Sequence, residues 1–151
     1  MVTMIGTELS LSTLVEDFLH QQVEACDVCR RAAGWLADPL ARDVVVAFAG
    51  IHDRDLVQLR KLAGDCGAHP PERGTAREAQ TLGQLSLAHN SDGDAALLAA
   101  VARVEDDVIQ GYERVLNNTA LPDNLVPLFE DALDELRRRR ERLTAALRLA
   151  A

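Results

Sequence analysis

The chain has 151 residues, a length that suits one domain rather than two; 48% are hydrophobic, enough for one sizeable core and too many for a disordered chain. Its 16 Lys and Arg against 24 Asp and Glu leave a net charge of −8, which argues against a general grip on nucleic acid or on an anionic membrane face. The aromatic residues (Phe18, Trp35, Phe48, Tyr112 and Phe129) are too few for a base-stacking platform.

The stretch Met1–Glu8 has no basic segment followed by an apolar run, so it does not read as a secretory signal. No apolar run approaches the ~20 residues that span a bilayer. Cys26, Cys29 and Cys66 are odd in number and too few for a disulfide scaffold, which makes a reducing cytoplasm the expected setting.

Helix signals then dominate. Ser10, Ser12 and Thr13 compete as the first N-cap, and Thr13 with Glu16 has capping-box spacing. Apolar residues recur at Leu11, Leu14, Val15, Phe18, Ala25, Cys29, Ala32 and Leu36, the stripe of an amphipathic helix over 12–36. Asp38-Pro39 restarts the chain, with Asp38 as cap and Pro39 at the first helical position, where no N–H is needed. The second helix, 39–66, carries Leu40, Val44, Val45, Phe48, Ile51, Leu56, Leu59 and Leu62, and ends at Gly67 and Pro70-Pro71.

Residues 67–92 break the pattern and form a crossover, with a short helix near Arg77–His89. Ser91 and Asp94 then offer a box-like N-cap for a third long helix, 93–118, striped by Leu97, Leu98, Val101, Val104, Val108, Ile109, Tyr112, Val115 and Leu116. Asn117-Asn118 and Pro122 punctuate. The fourth helix, 123–149, carries Leu125, Phe129, Leu133, Leu136, Leu143 and Leu147, and tolerates Pro127 only in its first turn. Each long helix is about 38 Å long. Matched lengths predict an all-α, antiparallel four-helix bundle built from two helical hairpins. The crossover is too long for a turn; its short helix returns the chain along the bundle, so the second and third helices run parallel, a ferritin-like connectivity.

Polar residues on the apolar stripes are the informative ones, because burial costs free energy unless they have partners. His52 and Asp55 lie between Phe48 and Leu59, and Glu105 between Val101 and Val108. Gln21 and Gln22 follow Phe18, and Arg139 and Arg140 interrupt the fourth stripe. Glu24 and Glu135 fall on stripe edges. A turn about residue 38 puts Glu24 level with His52 and Gln21 level with Asp55; a turn about 120 puts Glu105 level with Glu135. Glu24, His52, Asp55, Glu105 and Glu135 therefore form one expected polar layer inside a hydrophobic column.

That layer resembles the di-metal carboxylate arrangement of ferritin-like proteins, which draws a Glu from two helices and a Glu-x-x-His from each of the other two. Glu24 and Glu105 match the single-Glu positions. The second helix offers His52-Asp53-Arg54-Asp55, in reversed order, and the fourth has Arg138 where His is required. The resemblance implies iron or manganese, held by the five residues of the layer. The whole chain is also similar to a bacterial ferritin-like four-helix-bundle family of uncharacterised function. The most similar piece is Val104-Glu105-Asp106-Asp107-Val108-Ile109-Gln110-Gly111-Tyr112-Glu113, and the resemblance implies a bundle fold in a stress or storage context.

The alternative for the layer is an internal network in which Arg139 or Arg140 pairs with Glu105 or Asp55, and His52 bonds a carboxylate or a glutamine. Cys26-Asp27-Val28-Cys29 lies mid-helix, not at the N-terminus a redox dithiol uses, and lacks a second Cys pair for zinc; it reads as core packing. Tyr112 reads as core rather than as a redox neighbour. The arginines of 137–142 are accompanied by Glu130, Asp131, Asp134, Glu135 and Glu141 and read as a solvated, self-paired face, with Asp134–Arg138 and Glu135–Arg139 as pairs. The expected protein is a bacterial ferritin-like bundle, non-catalytic, with a structural or vestigial polar layer. Its rivals are a di-iron or di-manganese protein and a helical self-association module of the stress response. The expected partner is a second copy, in a homodimer, with neither nucleic acid nor membrane.

Overall fold

The computed structural model describes residues 10–69 and 76–151, apart from the side chains of Ala76 and Asp92. Helices α1 (Leu11–Trp35), α2 (Pro39–Cys66), α3 (Ala76–Asp92), α4 (Asp94–Leu116) and α5 (Val126–Ala150) account for nearly all of it, with a 3-10 turn at Asp123–Leu125. No strand occurs among the described residues, and none of their helices is long and apolar enough to cross a membrane.

The caps explain most boundaries. Ser10 Oγ accepts from the Thr13 N–H at 3.3 Å, so Ser10 starts α1, while Thr13 and Glu16 lie inside the helix instead of forming a capping box. Asp38 accepts from the Leu40 N–H, and Pro39 occupies the first turn of α2. Gly67 closes α2 in the left-handed conformation (φ 76°). The expected stop at Pro70-Pro71 lies outside the described residues. Pro127 sits in the first turn of α5, where it removes no intrahelical bond.

The junction at 91–94 corrects the expected cap. Ser91 belongs to the last turn of α3, and its hydroxyl bonds the Ala88 carbonyl. Gly93 alone separates α3 from α4, with φ 66° and ψ −143°, a conformation that glycine adopts readily and residues with a Cβ do not. The chain reverses there: α3 ends and α4 begins with no further linker.

Contacts between side chains give the directions. Gln22 meets His52 and Cys26 meets Ala49, so α1 and α2 are antiparallel. Phe18 meets Tyr112 and Cys29 meets Glu105, so α1 and α4 are antiparallel as well. It follows that α2 and α4 run the same way. Asp106–Arg140 and Glu113–Arg137 set α5 antiparallel to α4. α1 packs on α2 and α4, and α5 packs on α4 and α2; α2 and α4 lie across the column from each other. α3 runs parallel to α1 along the outer seam between α1 and α4, from Thr81 beside Glu24 to His89 stacked on Trp35 with ring centroids 4.6 Å apart.

The apolar stripes meet on one axis. Phe18, Phe48, Leu59, Leu97, Leu98, Leu136 and Leu143 are sealed from solvent, each contributing roughly 1.5–3 kcal/mol by burial. Leu40, assigned to the second stripe, is instead 72% exposed in the first turn of α2, at the tip of the hairpin.

Candidate functional site

The polar side chains on the buried stripes come from three helices. Gln22 and Cys29 are seven residues apart on α1, His52 and Asp55 three apart on α2, and Glu105 and Tyr112 seven apart on α4, so each pair shares a helix face. All six are buried. Because α2 and α4 run in parallel, His52 faces Glu105 and Asp55 faces Tyr112 across the axis of the column.

Together they make one hydrogen-bonded chain whose direction is set by valence. Tyr112 has a single hydroxyl proton and donates it to Asp55 Oδ2 at 2.8 Å. Its oxygen therefore accepts from Gln22 Nε2, at 3.3 Å. The other end of that amide, Gln22 Oε1, accepts from His52 Nδ1 at 2.6 Å, which places a proton on Nδ1. His52 Nε2 then meets Glu105 Oε1 at 2.6 Å with one proton between them. Whichever atom holds that proton, the pair is neutral overall. Cys29 Sγ donates to the same Glu105 oxygen at 3.3 Å.

Two features are left over. Glu105 Oε2 is buried and has no hydrogen-bond partner. The Cys29 thiol is pushed well above its usual range, first by burial and then by the Glu105 charge and the hydrogen bond to it. Burial likewise raises the Cys26 thiol to about 11, and the Asp53 carboxylate at 3.4 Å adds to the effect. Neither thiol is a poised nucleophile. Burial, followed by the Asp55 charge, raises the Tyr112 hydroxyl far above the ordinary tyrosine value, so it stays protonated as a donor. Phe18 and Phe129 meet its ring edge-on, with centroids 4.6 and 5.7 Å away.

The chain reaches the surface at Asp55. Arg54 Nε donates to Asp55 Oδ1 at 3.2 Å, and its terminal nitrogen donates to Glu135 Oε2 at 2.7 Å. These groups rim a recess between α2 and α5 that also contacts Leu59, Tyr112 and Phe129.

Of the five residues expected to form a metal layer, His52 and Glu105 meet directly, and Asp55 joins them through Gln22 and Tyr112. Glu24 turns to the other side of α1, where Thr81 donates to it and Arg77 lies 3.5 Å away. Glu135 lies at the recess against the Arg54 guanidinium, a charge that a cation would have to displace. As placed, these residues do not fit a carboxylate-bridged pair of iron or manganese ions. Neither Arg139 nor Arg140 enters the interior: Arg140 bonds Asp106 at 2.8 Å and Thr144 at 2.7 Å, and Arg139 lines a surface recess with Asp43 and Arg142. Asp55 takes its arginine from its own helix.

Cys29 is the residue whose chemistry the sequence reading sets aside, taking it with Cys26 as core packing. Its place on the stripe made it a core residue, which it is; only the fold reveals the carboxylate opposite. Comparisons with protein-family models, with characterised proteins and with solved structures return no match.

Proposed function

We propose that this is a ferritin-like four-helix-bundle protein of the bacterial cytoplasm, without catalytic activity, in which the buried polar chain keys the packing of α1, α2 and α4. The parallel course of α2 and α4, with α3 returning along the outside, supports the ferritin-like connectivity. The observation that carries the scaffold reading is that Cys29, Glu105, His52, Gln22, Tyr112 and Asp55 bond one another in one uninterrupted chain that leaves over Glu105 Oε2. Such a chain is satisfied in a single register of three helices, and an axial or rotational slip strands several groups at once.

A double-mutant cycle at His52 and Glu105 tests this. His52→Leu and Glu105→Leu each strand a buried partner, so each costs about 3–5 kcal/mol in denaturant unfolding. The double variant costs less than the two together, by more than about 1 kcal/mol. Single variants within about 0.5 kcal/mol of the parent would sink the reading.

Self-association as a homodimer is the second reading. Val57 and Leu128, 68% and 46% exposed, flank an apolar recess between α2 and the start of α5. Sedimentation at rising concentration checks it; a monomer throughout removes it.

A further inference from the structure

The end of the polar chain away from the surface has the composition of a coordination site. Cys29 Sγ, His52 Nε2 and a Glu105 carboxylate oxygen lie within 4.8 Å of one another, all three residues being buried and each on a different helix. Beside them is Glu105 Oε2, sealed from solvent and without a partner, an uncommon state for a carboxylate oxygen in a folded protein. We propose that Cys29, His52 and Glu105 bind one divalent transition-metal ion of the zinc type, with Sγ, Nε2 and both Glu105 oxygens as its four donors.

Four physical points carry this beyond the scaffold reading. The first is donor chemistry: thiolate, imidazole and carboxylate together select zinc-like borderline ions and disfavour magnesium, calcium and manganese, which take oxygen sets. The second is charge. Without metal, the thiol, imidazole and carboxylate are neutral in sum, because one proton sits on Cys29 and one between His52 and Glu105. Binding sends those two protons to solvent and leaves a thiolate and a carboxylate, whose charge of −2 cancels a divalent cation. The three-residue site thus holds no net charge in either state, whereas a monovalent or trivalent ion would leave one.

The third is orientation. His52 Nδ1 donates to Gln22, and the chain continues through Tyr112 to the Asp55 carboxylate. An outer hydrogen bond of this kind fixes which nitrogen faces a metal, here Nε2, and holds the ring in place. The fourth is distance. Donors of different residues about 2.0–2.3 Å from a four-coordinate ion stand roughly 3.4 Å apart, whereas the two oxygens of one carboxylate are held closer together by their shared carbon and fill one narrow edge of the site. Cys29 Sγ and Glu105 Oε1 are already at 3.3 Å, while His52 Nε2 and Oε1, now at 2.6 Å across a proton, must separate by less than an ångström once that proton leaves.

Co2+ is the probe, because a thiolate ligand produces a near-ultraviolet charge-transfer band and tetrahedral geometry produces intense visible bands. The whole chain, unfolded and refolded with Co2+ so that the sealed site loads, is expected to show both. They saturate at one equivalent and are absent when the chain is refolded with Co2+ and Zn2+ together. Cys29→Ser loses the near-ultraviolet band with its helical circular dichroism intact, and Cys26→Ser keeps it. Should Cys29→Ser fail to fold, zinc-edge X-ray absorption of the Zn2+-refolded parent decides: one sulphur neighbour at about 2.3 Å upholds the site, and none overturns it. Absence of the charge-transfer band in the parent, its survival in Cys29→Ser, its loss in Cys26→Ser, or saturation at two equivalents would each overturn the proposal.

Discussion

Asp94, the first residue of α4, holds the tip of the first hairpin: its Oδ1 accepts the Ala37 N–H at 2.9 Å, while its Oδ2 accepts the Asp38 N–H at the same distance. One carboxylate therefore ties the loop between α1 and α2 to the start of the second half of the chain. The bond from Ala37, then the one from Asp38, holds the Asp94 carboxyl below the usual aspartate value. Asp94→Ala should lower stability by about 1 kcal/mol, the modest end of the range because the site is open to water. Since the folded pKa is depressed, the contribution is present above about pH 4 and fades as pH falls through the folded value. Urea unfolding of parent and variant at neutral and acidic pH checks this; a gap that widens on acidification contradicts it.

Two helix glycines should respond to alanine with opposite signs. A Cβ on Gly111 would lie 2.5 Å from Phe18 Cδ1 and 2.7 Å from Gln21 Oε1, in the close approach of α1 and α4. Gly111→Ala should cost about 1–3 kcal/mol, because Phe18 is itself wedged against Tyr112. Gly50, mid-way along α2, has nothing near a new Cβ, so Gly50→Ala should stabilise by roughly 0.5–1 kcal/mol through helix propensity alone. Thermal melts of the two variants resolve the contrast.

Tyr112→Phe keeps the ring contacts with Phe18 and Phe129 but deletes the hydroxyl that joins Gln22 to Asp55. The loss should be about 1–3 kcal/mol, because a buried amide N–H and a carboxylate oxygen each lose a partner. A variant as stable as the parent would show that the chain is not continuous at this point.

The three thiols should separate by reactivity. Cys66, half-buried at the end of α2, should take up a thiol reagent in the native protein at neutral pH. Cys26 and Cys29, buried and with raised thiol pKa values, should react only as the protein opens, at a rate that tracks added denaturant. Mass mapping of the labelled peptides identifies the order.

The helices were legible because the 3.6-residue stripe persists over six or seven turns, and because Asp38-Pro39 and Gly67 are strong punctuation. The polar layer was legible in part for the same reason: Gln22, His52, Asp55 and Glu105 interrupt stripes that ought to be apolar. Glu24 and Glu135 entered the layer by height alone. Height along a helix says nothing of which way a stripe-edge residue turns, and α3 and Arg54 claimed them. Cys29 was legible only as half of a Cys-x-x-Cys and reads as core packing, since an apolar-stripe cysteine shows its chemistry only when the residue opposite is known. The arginines of α5 lie so far from the hairpin turn that an ideal projection has drifted, and the structure turns Arg140 to Asp106. Ser91 and Asp94 had the right spacing for a cap, yet the left-handed turn at Gly93 let one helix abut the next and freed Asp94 for Ala37 and Asp38.

Division of the polar chain among α1, α2 and α4 bears on how the protein is made. A nascent chain that has emerged only as far as Gly67 already contains Gln22, Cys29, His52 and Asp55, while Glu105 and Tyr112 are still to be translated. At that stage His52 can already bond Gln22, and Asp55 can bond Arg54, but the His52 nitrogen that meets Glu105 and the Cys29 thiol have no partner yet. The buried chain closes only once Glu105 and Tyr112 have both been made.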